Sequence, residues 1–329
     1  MASHAFLDLG LDDLADVVAY DAVARQASDG RLAEIDGDGL VNSASVGEVV
    51  RRASCRHDDD ALAEAFDRQV AWICSGAPRA ADGTVFHLAG MREVWVDTVY
   101  MVVPLLVLAG RVDEARRQLD GHERRLRDPA TGLYAHRWDE DSRTLSRAAR
   151  WGTGNGWVAA GLARALHLLA EEGIDDGGFA RRAREQAREL VDACLEHRRP
   201  DGLFHDVLDD PTSFTETNVA QMLAYTVLTG VADGWLPAGY ADVGTSLLDT
   251  ARAQVGPLGF VEGVCGAPRF DRPGPIRGGP VVPPSGPRSG TAPGRRLSPP
   301  SCRGHDEGPR SAGSGAFVVA VSTSVRRGT

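Results

Sequence analysis

Thr98-Val99-Tyr100-Met101-Val102-Val103-Pro104-Leu105-Leu106-Val107-Leu108-Ala109 is the stretch on which the fold turns. It is apolar nearly all round, so a helix built from it has no face for water and is buried on every side. It is too short to cross a membrane. The segments 156–170 and 219–230 are of the same kind. Between them run amphipathic segments. Leu11, Leu14, Val18 and Ala22 share one helix face, as do Leu62, Phe66, Val70 and Ile73, and 112–127, 178–197 and 238–254 are similar. Buried helices alternating with half-exposed ones predict an inner ring wrapped by an outer ring.

The loops repeat with the helices. After each amphipathic segment comes a glycine and then apolar or aromatic residues: Gly30-Arg31-Leu32, Gly83-Thr84-Val85-Phe86, Gly132-Leu133-Tyr134, Gly202-Leu203-Phe204 and Gly259-Phe260-Val261. The spacing suits helical-pair repeats. Each following buried helix opens near a residue of capping type, Asn42, Asp97, Asn155 or Asn218, whose side-chain oxygen can accept from first-turn amides. The long loops therefore share one side of the ring. Several helix N-termini converge there, a setting that suits an anionic ligand.

Counting elements predicts an all-α (α/α)6 toroid that lacks its first outer and last inner helix. Residues 2–9 read as the tail of a buried helix, followed by five outer helices and four more inner ones. Composition changes after Pro273: residues 273–329 hold ten of the chain's 18 prolines, eight arginines and two acids. The expectation is a toroid domain over 1–272 and a Pro/Gly/Arg-rich tail over 273–329. The tail is either disordered or a frame-shifted reading of a GC-rich gene whose start is placed too late. The absence of lysine fits such a gene. Net charge is -10, which argues against an extended nucleic-acid surface. No apolar stretch predicts a membrane span, so a cytoplasmic location is expected. Cys55, Cys74, Cys194, Cys265 and Cys302 lack metal-ligand spacing and read as buried thiols, with no metal and no cofactor expected.

Four of the six tryptophans, Trp95, Trp138, Trp151 and Trp157, flank the starts of buried helices, where their faces could stack on sugar rings or simply pack the core. Asp97 is a helix cap on one reading. On another, its place between Trp95 and an apolar helix partly desolvates it and favours the protonated acid useful in proton transfer. His136 lies four residues after Gly132, and the equivalent loop positions carry Glu34, His87 and Asp206, a recurring polar rim. Glu216 and Asn218 read as caps of the next helix.

Taken together, four stretches resemble glycoside hydrolase families 88 and 105, the unsaturated glucuronyl and rhamnogalacturonyl hydrolases of six-hairpin fold. They are Trp95-Val96-Asp97-Thr98-Val99-Tyr100-Met101, Gly132-Leu133-Tyr134-Ala135-His136-Arg137-Trp138-Asp139-Glu140, Trp151-Gly152-Thr153-Gly154-Asn155-Gly156-Trp157 and Asp210-Pro211-Thr212-Ser213-Phe214-Thr215-Glu216-Thr217. Val264-Cys265-Gly266-Ala267-Pro268 also fits. The resemblance implies that Asp97 is the catalytic carboxyl. It would protonate C4 of a 4,5-unsaturated uronide and then take the proton of water adding at C5. Asn42, Trp95, His136, Trp138, Trp151, Thr153, Asn155 and Trp157 are the implied substrate contacts, and the implied partner is a small oligosaccharide. Asn42 stands where the family often has an acid, and Thr153 where rhamnogalacturonyl members commonly have arginine. An epimerase-type toroid using His87 and His136, or an inactive sugar-binding remnant, are the alternatives.

Overall fold

The turn after each outer helix is built on the same two bonds and a left-handed glycine. In the computed structural model, which describes residues 2–32, 38–174 and 177–265, Gly30, Gly83, Gly132, Gly202 and Gly259 all have φ between +75° and +100°. L side chains rarely adopt that conformation. Ala27, Ala80, Asp128, Arg199 and Gly256 each donate their N–H to the carbonyl one residue past the glycine, on Arg31, Thr84, Leu133, Leu203 and Phe260, at 2.8–2.9 Å. The glycine N–H returns to the carbonyl of that same donor residue. Four of the five close over four residues, and the one at Gly132 over five, from Asp128 to Leu133.

The helices alternate as the hydropathy requires. Inner helices are α1 (Ala2–Asp8), α3 (Gly47–His57), α5 (Thr98–Leu108), α7 (Gly152–Glu171) and α9 (Asn218–Ala232). Outer helices are α2 (Asp12–Ala24), α4 (Asp60–Ala71), α6 (Val112–Leu126), α8 (Gly177–Leu195) and α10 (Ala241–Arg252). Each inner helix packs on its own outer partner, and α1, α3, α5, α7 and α9 touch in sequence. This is the α/α toroid, with five inner and five outer helices among the described residues. Inner-to-outer connections are short and outer-to-inner ones long, so the long loops all gather where the inner helices begin. No helix among the described residues is long and apolar enough to cross a membrane. The proposed tail over 273–329 lies outside the described residues.

Two features depart from an all-helical reading. The long loops carry short strands: β1 (Glu93–Trp95), β2 (Arg137–Asp139) and β3 (Thr144–Arg147) form one antiparallel sheet, and β4 (Phe204–His205) pairs with β5 (Thr215–Glu216). Pieces this short carry too little hydrophobic period to register in the sequence. The second departure is a buried ionic knot on the ring axis. Arg164 donates to both oxygens of Glu48, at 2.9 and 2.7 Å, and also to Asp8 and Tyr225, while His4 meets the Tyr100 hydroxyl at 2.6 Å. All five inner helices contribute a side chain. The cysteines divide: Cys194 is buried, Cys74 and Cys265 are half-buried, and Cys55 is exposed.

Candidate active site

Where α5 begins, the expected cap is absent. Asp97 precedes Thr98 with helical backbone angles, and its carboxylate accepts no bond from the first turn. Its Oδ1 is buried with no hydrogen-bond partner and lies 3.7 Å from His87 Nδ1. His87 in turn meets the Thr98 hydroxyl at 2.8 Å. Asn42 opens a single 3-10 turn (Asn42–Val46), and Asn218 is the first residue of α9, preceded by Thr217, whose side chain makes no cap bond. The cap of α9 comes from Glu216, whose carboxylate accepts from the Val219 amide at 3.0 Å and the Cys265 amide at 3.3 Å. Burial pushes Glu216 up to about 7, against those amide donors.

The repeated turn sets the rim. Its fourth position after the glycine carries His87, His136 and Asp206; Glu34, the remaining polar residue of this series, lies outside the described residues. Ring contacts join these positions into a wall. His87 stacks on Trp95 at 4.5 Å and 4°, Trp95 meets His136 edge-on at 5.6 Å, and His136 lies 4.6 Å from Trp151. His136 is fully buried and its Nδ1 has no partner. Burial first, then Arg137, Arg147 and His87, pushes it down to about 2, so the imidazole is neutral. Asp206 is half-buried with Oδ1 likewise unpartnered, and burial raises it above the ordinary carboxyl value. Three buried polar atoms without partners thus line one aromatic wall, which is unusual for a finished core.

Several expected contacts have other duties. Trp95 is 2% exposed, and Trp151 and Trp157 are 7% and 6% exposed, so most of each indole is packed against the protein. Trp157 packs on Tyr100 at 4.7 Å. Trp138 points the other way. It pairs with Val94 and so occupies the opposite face of the sheet from Trp95, and its indole donates to Glu140, which is bound to Arg125 of α6. Asn155 sits inside α7, fully buried. Its Oδ1 accepts from the Tyr134 amide and both amide hydrogens go to the Tyr134 and Trp151 carbonyls, so it pins the loop to the helix. Thr153 is buried, with its hydroxyl 3.4 Å from Cys265 Sγ.

Charge is what remains at the accessible edge. Arg137 and Arg147, both half-buried, were not singled out by sequence, although the resembling stretch contains Arg137. Strand register places Trp95, Arg137 and Arg147 opposite one another across the sheet, and the Arg137 guanidinium lies 3.9 Å over the Trp95 ring. The Trp95 indole is oriented by Glu93 Oε2 at 2.8 Å. Among the described residues no cluster of histidine, cysteine and acidic side chains could hold a metal ion.

Comparison with known proteins gives the family and the fold. A family model described as Glycosyl Hydrolase Family 88 matches residues 19–270. The unsaturated rhamnogalacturonyl hydrolase YesR of Bacillus subtilis is 29% identical over 213 residues. That match covers 58% of this chain and 60% of the relative, so this chain spans less than two thirds of that relative's length. Among solved structures, a possible member of the GH105 family from Salmonella enterica has a TM-score of 0.68 at 22% identity, covering 80% of this chain and 71% of that one. A family 105 glycoside hydrolase of C. acetobutylicum gives 0.66 at 17% identity, covering 79% and 78%. A family 88 glycosyl hydrolase from Bacteroides vulgatus gives 0.61 at 16%, covering 78% and 75%. At these identities the likeness establishes the shared toroid.

Proposed function

Because this chain belongs to glycosyl hydrolase family 88, we propose that it is a glycoside hydrolase acting on 4,5-unsaturated uronyl oligosaccharides, with Asp97 as acid and base. One observation carries the assignment: Asp97 stands at a helix start without capping it, and its buried Oδ1 has no partner. A carboxyl kept out of its usual structural duty and set beside an aromatic wall is arranged for proton transfer.

The Asp97 proton goes to C4 of the alkene, and the cation at C5 is stabilised by the ring oxygen. Water then adds at C5 and gives its proton to the Asp97 carboxylate. The C5 hemiketal opens and the linked sugar leaves from C1, with one water consumed. Acid and base are the same residue, so no second carboxylate at the distances of a displacing pair is required. His87 Nδ1 is bound to the Thr98 hydroxyl at 2.8 Å and stands 3.7 Å from Asp97 Oδ1, near it but not hydrogen-bonded to it.

The epimerase reading asks imidazoles to act as bases. His136, pushed down to about 2, is too weak a base for that work. The remnant reading predicts no turnover at all. Incubating the full chain with unsaturated disaccharides and following the ultraviolet absorbance of the alkene tests the proposal. A steady loss of absorbance supports it, and no loss with any unsaturated uronide removes it.

A further inference from the structure

We propose that Arg137 and Arg147 form a two-guanidinium clamp that binds the carboxylate of the uronic acid and so sets the specificity of the site. The inference rests on the unsaturated-uronide reading above and names the residues that recognise the substrate's charge.

The sheet builds the clamp. Register sets Trp95 opposite Arg137 and Arg137 opposite Arg147, so the three side chains form one row on a single face. Like charges directly opposed across strands destabilise a sheet. Here the pair is nonetheless held in place, with Arg137 laid on Trp95 at 3.9 Å and its Nε directed at His136 Nε2 at 3.4 Å. Arg147 has no carboxylate within ion-pair distance among the described residues. Its register opposite Arg137 puts it on the same face of the sheet. Burial holds the Arg137 guanidinium below its ordinary value, with Glu93, then Asp97, opposing and Arg147 reinforcing the shift. An anion between the two arginines would relieve this repulsion.

The chemistry of the surroundings selects the anion. Planar guanidinium groups match the two oxygens of a carboxylate. Position 153 offers no cation, being a buried threonine whose hydroxyl lies 3.4 Å from Cys265 Sγ. The neutral His136, fully buried, accepts from Arg137 Nε through its Nε2 at 3.4 Å and so helps to orient the guanidinium. Arg137 lies 3.9 Å over the ring of Trp95, two residues before Asp97, so a carboxylate held there brings the adjacent C4=C5 bond toward the acid.

The test compares an unsaturated uronyl disaccharide with its methyl ester in the full-length protein, wild type against R137Q, R147Q and R137K. For the free acid, R137Q and R147Q should raise KM about tenfold or more, the loss expected for a charged hydrogen bond, while kcat changes far less. R137K keeps the charge without the fork and should fall between. The ester should already bind weakly to the wild type, and the substitutions should weaken it no further. Equal losses on acid and ester, or an unchanged KM, would overturn the clamp. Melting temperatures and far-ultraviolet circular dichroism identify any variant that misfolds, and R137K then carries the test. If the wild type consumes no unsaturated uronide, the functional reading fails separately. Tryptophan fluorescence titrated with a saturated uronyl disaccharide then decides the clamp: uronate binding weakened in R147Q supports it, and no wild-type binding overturns it.

Discussion

Two carboxylates show how position decides what an acid does. Asp97 occupies the place of a helix cap without acting as one, whereas Glu216, two residues before α9, does the capping. The local sequence of Asp97 could not separate these possibilities, because Asp is favoured at helix starts for the very bonds that it does not make here. Glu216 gives a pH prediction. Its folded value, about 7, lies above the ordinary 4.5, so its contribution to stability is fully present below about pH 4.5 and is lost as pH rises through 7. The stability advantage of wild type over E216Q should therefore shrink between pH 5 and pH 8. Melting curves across that range check it, and a pH-independent gap would contradict the shift. Trp138 and Trp95 carry a related lesson. Both are tryptophans near the site, but strand parity sends them to opposite faces, and parity becomes readable only once the strands are known.

At the scale of the element, the helices were legible and the loops only partly so. Helices such as α5 and α9 announce themselves by apolar runs without a polar face, and the amphipathic period of α4 and α6 is plain. The five glycines mark the turns, and their shared left-handed conformation explains why the residue must be glycine. What could not be read was the three-stranded sheet, since its strands are three or four residues long and their pairing is non-local. That sheet places Arg137 and Arg147, so the sequence alone gave no reason to single them out. Gly132 isolates the cost of the turn. A methyl group there meets Ala193 Cβ only at 3.5 Å, an ordinary contact, leaving backbone strain as the main effect. G132A should destabilise the fold by about 1–2 kcal/mol, measured by denaturant unfolding. A neutral result would mean that the turn relaxes without penalty.

For the whole molecule, the ring is held by apolar contact between neighbouring helices and by one ionic knot on its axis. Arg164 and Glu48 are each less than 6% exposed by side chain, and the knot draws on every inner helix. Burial alone would raise Glu48, but Arg164 and His4 hold it down at about 2. Removing one member strands a buried charge, so R164M should cost about 3–5 kcal/mol. A fall in denaturation midpoint of that size is expected, and no change would mean that the knot is replaceable by apolar packing. Hydropathy could not reveal this cluster, because its members lie far apart in the chain and meet only when the ring forms. The toroid, in turn, gives Asp97 its setting: every long loop is delivered to one end, where the repeated turn lines up His87, His136 and Asp206 beside it. The most direct measurement is alkene absorbance with the Asp97→Asn protein on an unsaturated uronyl disaccharide that the wild type consumes. Because Asp97 makes no cap bond, the variant should melt within a few degrees of wild type. It should also lose about 10²–10⁴-fold in kcat, the range of general acid–base catalysis. Absorbance loss at the wild-type rate in a folded Asp97→Asn protein would contradict the assignment.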